Sequence, residues 1–238
     1  MAEPYLVYRE GWERFTLEPD MSRGFIDSVT SGSTPSTTRE EYWDGEIPWL
    51  TPKELDDDPF SLYVSGTERT VTPAGVGSCS ARVLQPNTVM VTKRAPVGLV
   101  AVNTVPMATN QGFLNFGCGP KLRPLYLAYW FLVNRPYLDK IANGSTFPEL
   151  YRGELFEFEV AVPSIEDQDA TISVLQSLMF ALAAGRALAA AAVDGEGIRR
   201  AQEADEQIRG GVVDLMYLLL SGQIEAADAG GLFNDGER

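Results

Sequence analysis

At 238 residues and 45% hydrophobic content, the chain is long enough to bury a core and too apolar to belong to the disordered class. It contains no histidine, which excludes Ser-His-Asp and Cys-His catalysis and makes the usual zinc sites implausible. Two cysteines, Cys79 and Cys118, are too few for a disulfide framework, and a formal charge of -14 would oppose nucleic-acid binding if it were spread evenly.

The charge is not spread evenly. Residues 1–68 carry 5 Lys/Arg against 15 Asp/Glu, residues 69–140 carry 8 against 1, and residues 141–238 carry 6 against 17. The middle block holds Arg69, Arg82, Lys93, Arg94, Lys121, Arg123, Arg135 and Lys140. It reads either as a phosphate-facing surface or as solvated side chains clustered by chance. The acidic flanks suit a halophilic solvent, a basic partner, or repulsion of nucleic acid from the wrong face.

In chain order, the start "MAEPYLVYRE" lacks a basic segment followed by an apolar one, and the longest apolar runs are broken by Arg186, Asp194 or prolines. Neither a signal peptide nor a membrane span is expected, which points to the cytoplasm. Up to about Pro163 the sequence is rich in Gly, Pro, Thr and aromatics, predicting short strands and loops with a few helices. Asp56-Asp57-Asp58 reads as a solvated loop, because consecutive residues of an extended segment point to opposite sides and do not share a metal. The runs "ARVLQPNTVMVT" and "VGLVAVN" read as strands bounded by turns. "ATNQGF" follows, placing Asn110 and Gln111 side by side before Gly112. In "RPLYLAYWFLVNRPYLDKIANG", Leu125, Ala128, Tyr129 and Leu132 recur at helical spacing, with Gly144 as a stop. This predicts a helix kinked or divided near Pro136.

From Ser164 the character becomes helical. Ser164 and Asp167 form a capping-box-like start, and Ile172, Leu175, Met179 and Leu182 repeat at intervals of three and four. Ala201, Asp205, Ile208, Val212, Leu215 and Leu219 continue that alternation, so the stripe wants a partner helix. "VDGEG" at 193–197 is either the turn of a helical hairpin or a weak point in one long helix. The expected fold is α+β: a mixed α/β domain over residues 1–163, a coiled-coil-like helix or hairpin over 164–226, and a flexible tail over 227–238.

The ordered set "SGSTPSTTREEYWDGEIPWLTPKEL", "VLQPNTVMVTKRAPVGLVAV", "ATNQGF", "YLAYWFL", "NGSTFPEL", "FEVAVPSIEDQDATISVL" and "LLLSGQI" resembles a target-recognition domain and adjoining helical region of type I restriction-modification specificity subunits. The resemblance spans about residues 20–226. It implies a non-catalytic subunit that recognises double-stranded DNA for a methyltransferase subunit, with or without a restriction translocase. S-adenosylmethionine would belong to the methyltransferase. Full-length members carry two recognition domains and two helical regions, so this chain looks like a half subunit that would pair with a copy of itself through Ile172, Leu175, Met179, Leu182, Ile208, Val212, Leu215 and Leu219. The competing expectation is an acidic protein-binding accessory of a defence complex that keeps the fold without reading DNA.

The same resemblance implies a set of DNA contacts. Thr51 and Lys53 stand where the family brings a loop to DNA, with Tyr42 and Trp43 packing beneath it and Trp49 in the core. Lys93 and Arg94, after the strand "TVMVT", are candidates for phosphates, followed by Lys121 and Arg123. Thr109, Asn110 and Gln111 complete the set. The two amides match the N6/N7 edge of adenine, or else they tie the loop to neighbouring backbone while Gly112 takes a conformation closed to other residues.

Overall fold

A computed structural model describes residues 9–56, 61–142, 149–190 and 195–231. Asp57 and Asp58, most of "NGSTFPEL", and Val193 and Asp194 lie outside those residues. Two compact units are present, one spanning Glu13–Ala161 and the other running from Val162 onward together with residues 9–12.

The first unit begins with β1 (Glu13–Thr16), β2 (Ile26–Ser31), β3 (Trp43–Leu50), β4 (Tyr63–Val64) and β5 (Thr70–Val71). It continues through α1 (Pro73–Gly77), β6 (Val89–Lys93), β7 (Val97–Asn103), β8 (Ala108–Thr109), β9 (Phe113–Cys118), α2 (Pro124–Ala142), α3 (Arg152–Phe156) and β10 (Glu159–Val162). The main sheet has the order β2-β9-β6-β7-β4, antiparallel except where β4 runs parallel to β7. A second sheet has the order β5-β3-β8, and β1 pairs with β10.

Both faces of the main sheet are covered, which accounts for the apolar run of β7, whose seven residues are all buried. Side chains alternate across it. On one face α2 packs against β6 and β7, and the Phe131 ring lies 5.1 Å from that of Phe116. On the other, Met90, Ala101 and Phe113 pack with Leu50, Leu84 and Met107. The second sheet adds Trp43 and Trp49, edge to face at 5.0 Å, packed with Val71 and Ala108. Trp49 is therefore core.

α2 is one helix with Pro136 inside it, which removes the divided alternative. Its burial is also broader than one stripe: Tyr126 through Phe131 are all buried, whereas Leu125 and Leu132 are half-buried. The helix meets the sheet through Phe131 and also meets Phe158, whose ring is 6.1 Å from Trp130 and 5.1 Å from Tyr137. A helix covered on more than one side loses the amphipathic signature.

The second unit contains α4 (Ile165–Ala190), α5 (Gly195–Leu220) and α6 (Ala226–Gly231). Ser164 caps α4, its Oγ accepting from the Asp167 amide at 3.2 Å and donating to the Asp167 carboxylate at 3.0 Å. α4 and α5 are separate helices that pack on each other, which favours the hairpin reading over one long helix. α5 ends where Gly222, at φ +69°, donates to the Leu219 carbonyl at 3.1 Å while Gln223 donates to that of Leu218 at 2.9 Å. That pairing satisfies two carbonyls left open by the helix end. A Cβ on Gly222 would also fall 2.8 Å from Trp12, so the described residues 9–12 belong to this unit. Arg9 pairs with Glu225 at 2.7 Å. The expected flexible tail begins too early at 227, because α6 reaches Gly231 with Ala229 buried.

Candidate nucleic-acid interface

The turn after β8 joins three other segments, and a fourth joins through Lys93. β8 lies parallel to the end of β3, with Trp49 opposite Ala108 and Leu50 opposite Thr109, and the Asn110 amide donates to the Leu50 carbonyl at 3.0 Å. Ser33 donates to the Thr109 carbonyl at 3.0 Å, Lys93 to that of Gly112 at 2.8 Å, and Leu150 to that of Lys93 at 2.9 Å. Side chains add two further ties. The Gly112 amide donates to Asn110 Oδ1 at 2.8 Å, and Thr34 Oγ1 donates to Gln111 Oε1 at 2.6 Å. The segment at Gly32 approaches so closely that a Cβ there would lie 2.1 Å from the Thr109 carbonyl oxygen. Backbone bonds of this kind hold short loops in one geometry, which direct readout of a duplex requires.

The structure divides the predicted contact residues. Lys53 and Gln111 are exposed, and Asn110 and Arg94 are half-buried at the same group of loops. Asn110 follows the loop-tying reading through its bond to Gly112, whereas Gln111 reaches Thr34 from an exposed position. Gly112 is explained by close packing on Pro52, whose Cγ a Cβ would meet at 2.7 Å, and not by an unusual backbone angle.

Thr51 and Thr109 are corrections. Thr51 is buried, and its Oγ1 donates to Glu54 Oε1 at 2.7 Å, capping the short turn Pro52–Glu54 that presents Lys53. Thr109 is 1% exposed and its hydroxyl accepts from Asn115 Nδ2 at 3.0 Å. Both hydroxyls are spent on the protein's own framework.

Lys121 and Arg123 stand apart from the rest. Phe113 begins β9 beside the Asn110 turn and Cys118 ends it roughly 17 Å away at about 3.4 Å per residue, and the two basic residues follow that far end. Lys121 pairs with Glu13 at 3.0 Å and lies 5.2 Å from the centre of the Phe25 ring. Arg69 is also engaged, its guanidinium 3.5 Å from the centre of the Trp43 ring. The basic block is therefore not one continuous patch.

Sequence reasoning misses Glu149 and Thr34. Glu149 lies 3.0 Å from Lys93 Nζ and 3.7 Å from Arg94 Nη1, although more than fifty residues separate them along the chain. Nothing local in "TFPEL" signals that meeting.

At the end of β9, where Cys118 is half-buried, desolvation of the thiol and then the Asp27 carboxylate push it up to about 12 from an ordinary 9.0. The unfolded thiol ionises first, so this group's contribution to stability is complete below pH 9.0 and is lost as pH rises through about 12. At pH 8 iodoacetamide should alkylate Cys118 in the native protein far more slowly than in the urea-unfolded chain. Peptide mass spectrometry checks this, and equal rates in the two states would contradict the assignment.

A family model described as type I restriction modification DNA specificity domain matches residues 10–186. The chain is 43% identical over 152 residues to the type I restriction enzyme MjaIX specificity subunit of Methanocaldococcus jannaschii, covering 63% of this chain and 35% of that protein. It is 24% identical over 159 residues to the EcoR124I/EcoR124II specificity subunit of Escherichia coli, covering 64% and 38%. The chain thus spans little more than a third of those curated relatives. In fold it is similar to the HsdS subunit from Thermoanaerobacter tengcongensis, with a TM-score of 0.56 at 15% identity over 93% of this chain and 48% of that one. A chain from a type I R-M complex assembly gives the same TM-score at 17% identity over 93% and 49%.

Proposed function

This chain belongs to the type I restriction modification DNA specificity domain family, and we propose that it recognises double-stranded DNA sequence without itself catalysing a reaction. The observation that carries this reading is the joined set of loops around Asn110–Gly112, with Lys53, Lys93, Arg94 and Gln111 at one group of turns. Lys53, Lys93 and Arg94 meet phosphates, and Gln111 offers a donor and an acceptor to a base edge. Lys121 and Arg123 reach phosphates only on a duplex long enough to extend beyond β9.

The partner is a DNA methyltransferase subunit that brings its own S-adenosylmethionine, with or without a restriction subunit in the same complex. The assembly acts in the cytoplasm. Among the described residues no helix is long and apolar enough to cross a membrane. α4 and α5 pair two copies of the chain. Selection from a random duplex library at low salt, alone and with the cognate methyltransferase, tests recognition: enrichment of one sequence supports it, and no enrichment in either condition rejects it.

Replacing Lys93 and Arg94 together by alanine is expected to weaken binding to the selected duplex and reduce its salt slope by about 0.9 for each phosphate no longer neutralised. Gln111→Ala should instead alter base preference with the slope unchanged. Titration of one cognate and one scrambled duplex at four salt concentrations separates the two signatures.

A further inference from the structure

We propose that Glu149 is a built-in competitor of DNA phosphate, a counter-charge that holds Lys93 and Arg94 until a duplex is docked closely enough to replace it. The inference rests on the DNA-reading function proposed above. One carboxylate serves two cations, with Oε1 3.0 Å from Lys93 Nζ and Oε2 3.7 Å from Arg94 Nη1. Its place is fixed by the backbone, since the next residue, Leu150, donates to the Lys93 carbonyl at 2.9 Å. The Lys93 and Glu149 side chains are 19% and 21% exposed, whereas Lys53 and Glu68, which pair at 2.9 Å nearby, are both 68% exposed. Salt and water therefore screen the Glu149 pair less than the Lys53 pair.

This arrangement acts on the part of binding that carries no sequence information. Phosphate attraction supplies essentially all non-specific affinity. A passing duplex meets two cations already paired with a carboxylate and must displace it before gaining their contacts. Lys93 is also bonded through its amide to the Gly112 carbonyl, so exchange of Glu149 for phosphate happens beside the Asn110–Gln111 turn. Glu149 is a positioning residue: it sets when the two cations become available and touches no base in this scheme.

Glu149→Gln keeps the shape and removes the charge. The full chain carrying it should bind a scrambled duplex about eightfold more tightly at about 0.1 M salt if it frees the cations for one additional phosphate, with a salt slope steeper by about 0.9. Preference for the selected sequence over the scrambled one should fall, and Glu149→Asp should return the slope toward wild type. The decisive control puts Glu149→Gln into the Lys93→Ala, Arg94→Ala background, where no steepening is expected because the cations it holds are gone. A slope unchanged in wild type, or equally steepened without the two cations, overturns the competitor role while DNA reading stands. Failure of wild type and variant alike to bind any duplex, with or without the methyltransferase, overturns DNA reading and the competitor role together. Thermal melting of each variant confirms that a change in slope belongs to a folded protein.

Discussion

Replacing Gly32 by alanine is expected to destabilise the recognition unit by about 3 kcal/mol, lowering its melting temperature by roughly 10 °C, and to weaken DNA binding with it. A Cβ at this position would lie 2.1 Å from the Thr109 carbonyl oxygen and 2.2 Å from that of Asn110. Neither oxygen belongs to a side chain that can swing aside. The Thr109 carbonyl accepts from Ser33, while the Asn110 amide is bonded to Leu50, so relieving the overlap separates the loop at 32–34 from the turn at 109–111. The Thr34–Gln111 bond spans that same junction. Stability and readout should therefore fall together, unlike the Gln111→Ala case. Gly210→Ala supplies the contrast: it lies within α5 with nothing within 4 Å of its added Cβ, and removing a helix-interior glycine should leave stability equal or raise it by up to about 1 kcal/mol. Differential scanning calorimetry on both variants reads the difference. A Gly32→Ala melt within about 2 °C of wild type would show that the close approach is not maintained in solution.

The Gly32 approach also illustrates which features the sequence made legible. Ser164 and Asp167 announced the start of α4 because a cap is a contact between residues three apart. The β6 and β7 runs were visible for a similar reason, since each is continuous and covered on both faces. Nothing local indicated that β8 lies parallel to β3, and that pairing buries Thr109 and turns it from an expected DNA contact into part of the framework. Long-range placement likewise separates Lys121 from Lys93 along β9 and brings Glu149 to Lys93 from a distant part of the chain. Residues 9–12 lie in the helical unit for the same kind of reason, through Arg9 with Glu225 and Trp12 beside Gly222. Charge counted along a sequence cannot register such meetings. A block that looks uniformly basic contains cations already engaged by Glu149, Glu13 and the Trp43 ring.

The helical stripe shows the same limit and leads to the second large expected effect. Ile172, Leu175, Val212 and Leu219 are buried within the chain, which leaves them unable to hold a second copy without rearrangement. Met179 and Leu215 are half-buried, and the Leu182 side chain lies outside those described. Phe180 on α4 is 79% exposed and Ile208 on α5 is 48% exposed, so among the described residues of these helices these two have most to gain from pairing. Covering each contributes about 1.5–3 kcal/mol, and two-fold symmetry counts each twice. Changing Phe180 to aspartate should therefore weaken the pair by about a hundredfold, and changing Ile208, already half covered, by about tenfold, while leaving the recognition unit folded. Light scattering should show wild type as a dimer and the Phe180→Asp, Ile208→Asp variant as a monomer. DNA selection should change in parallel, from two inverted half-sites with a constant spacer to one half-site. Adding one heptad to both α4 and α5 lengthens each by about 10.5 Å, roughly three base-pair steps, so the preferred spacer should shift on that scale. A wild-type chain that remains monomeric with its methyltransferase bound, or that selects one unrepeated half-site, would sink the paired arrangement and leave single-site recognition intact.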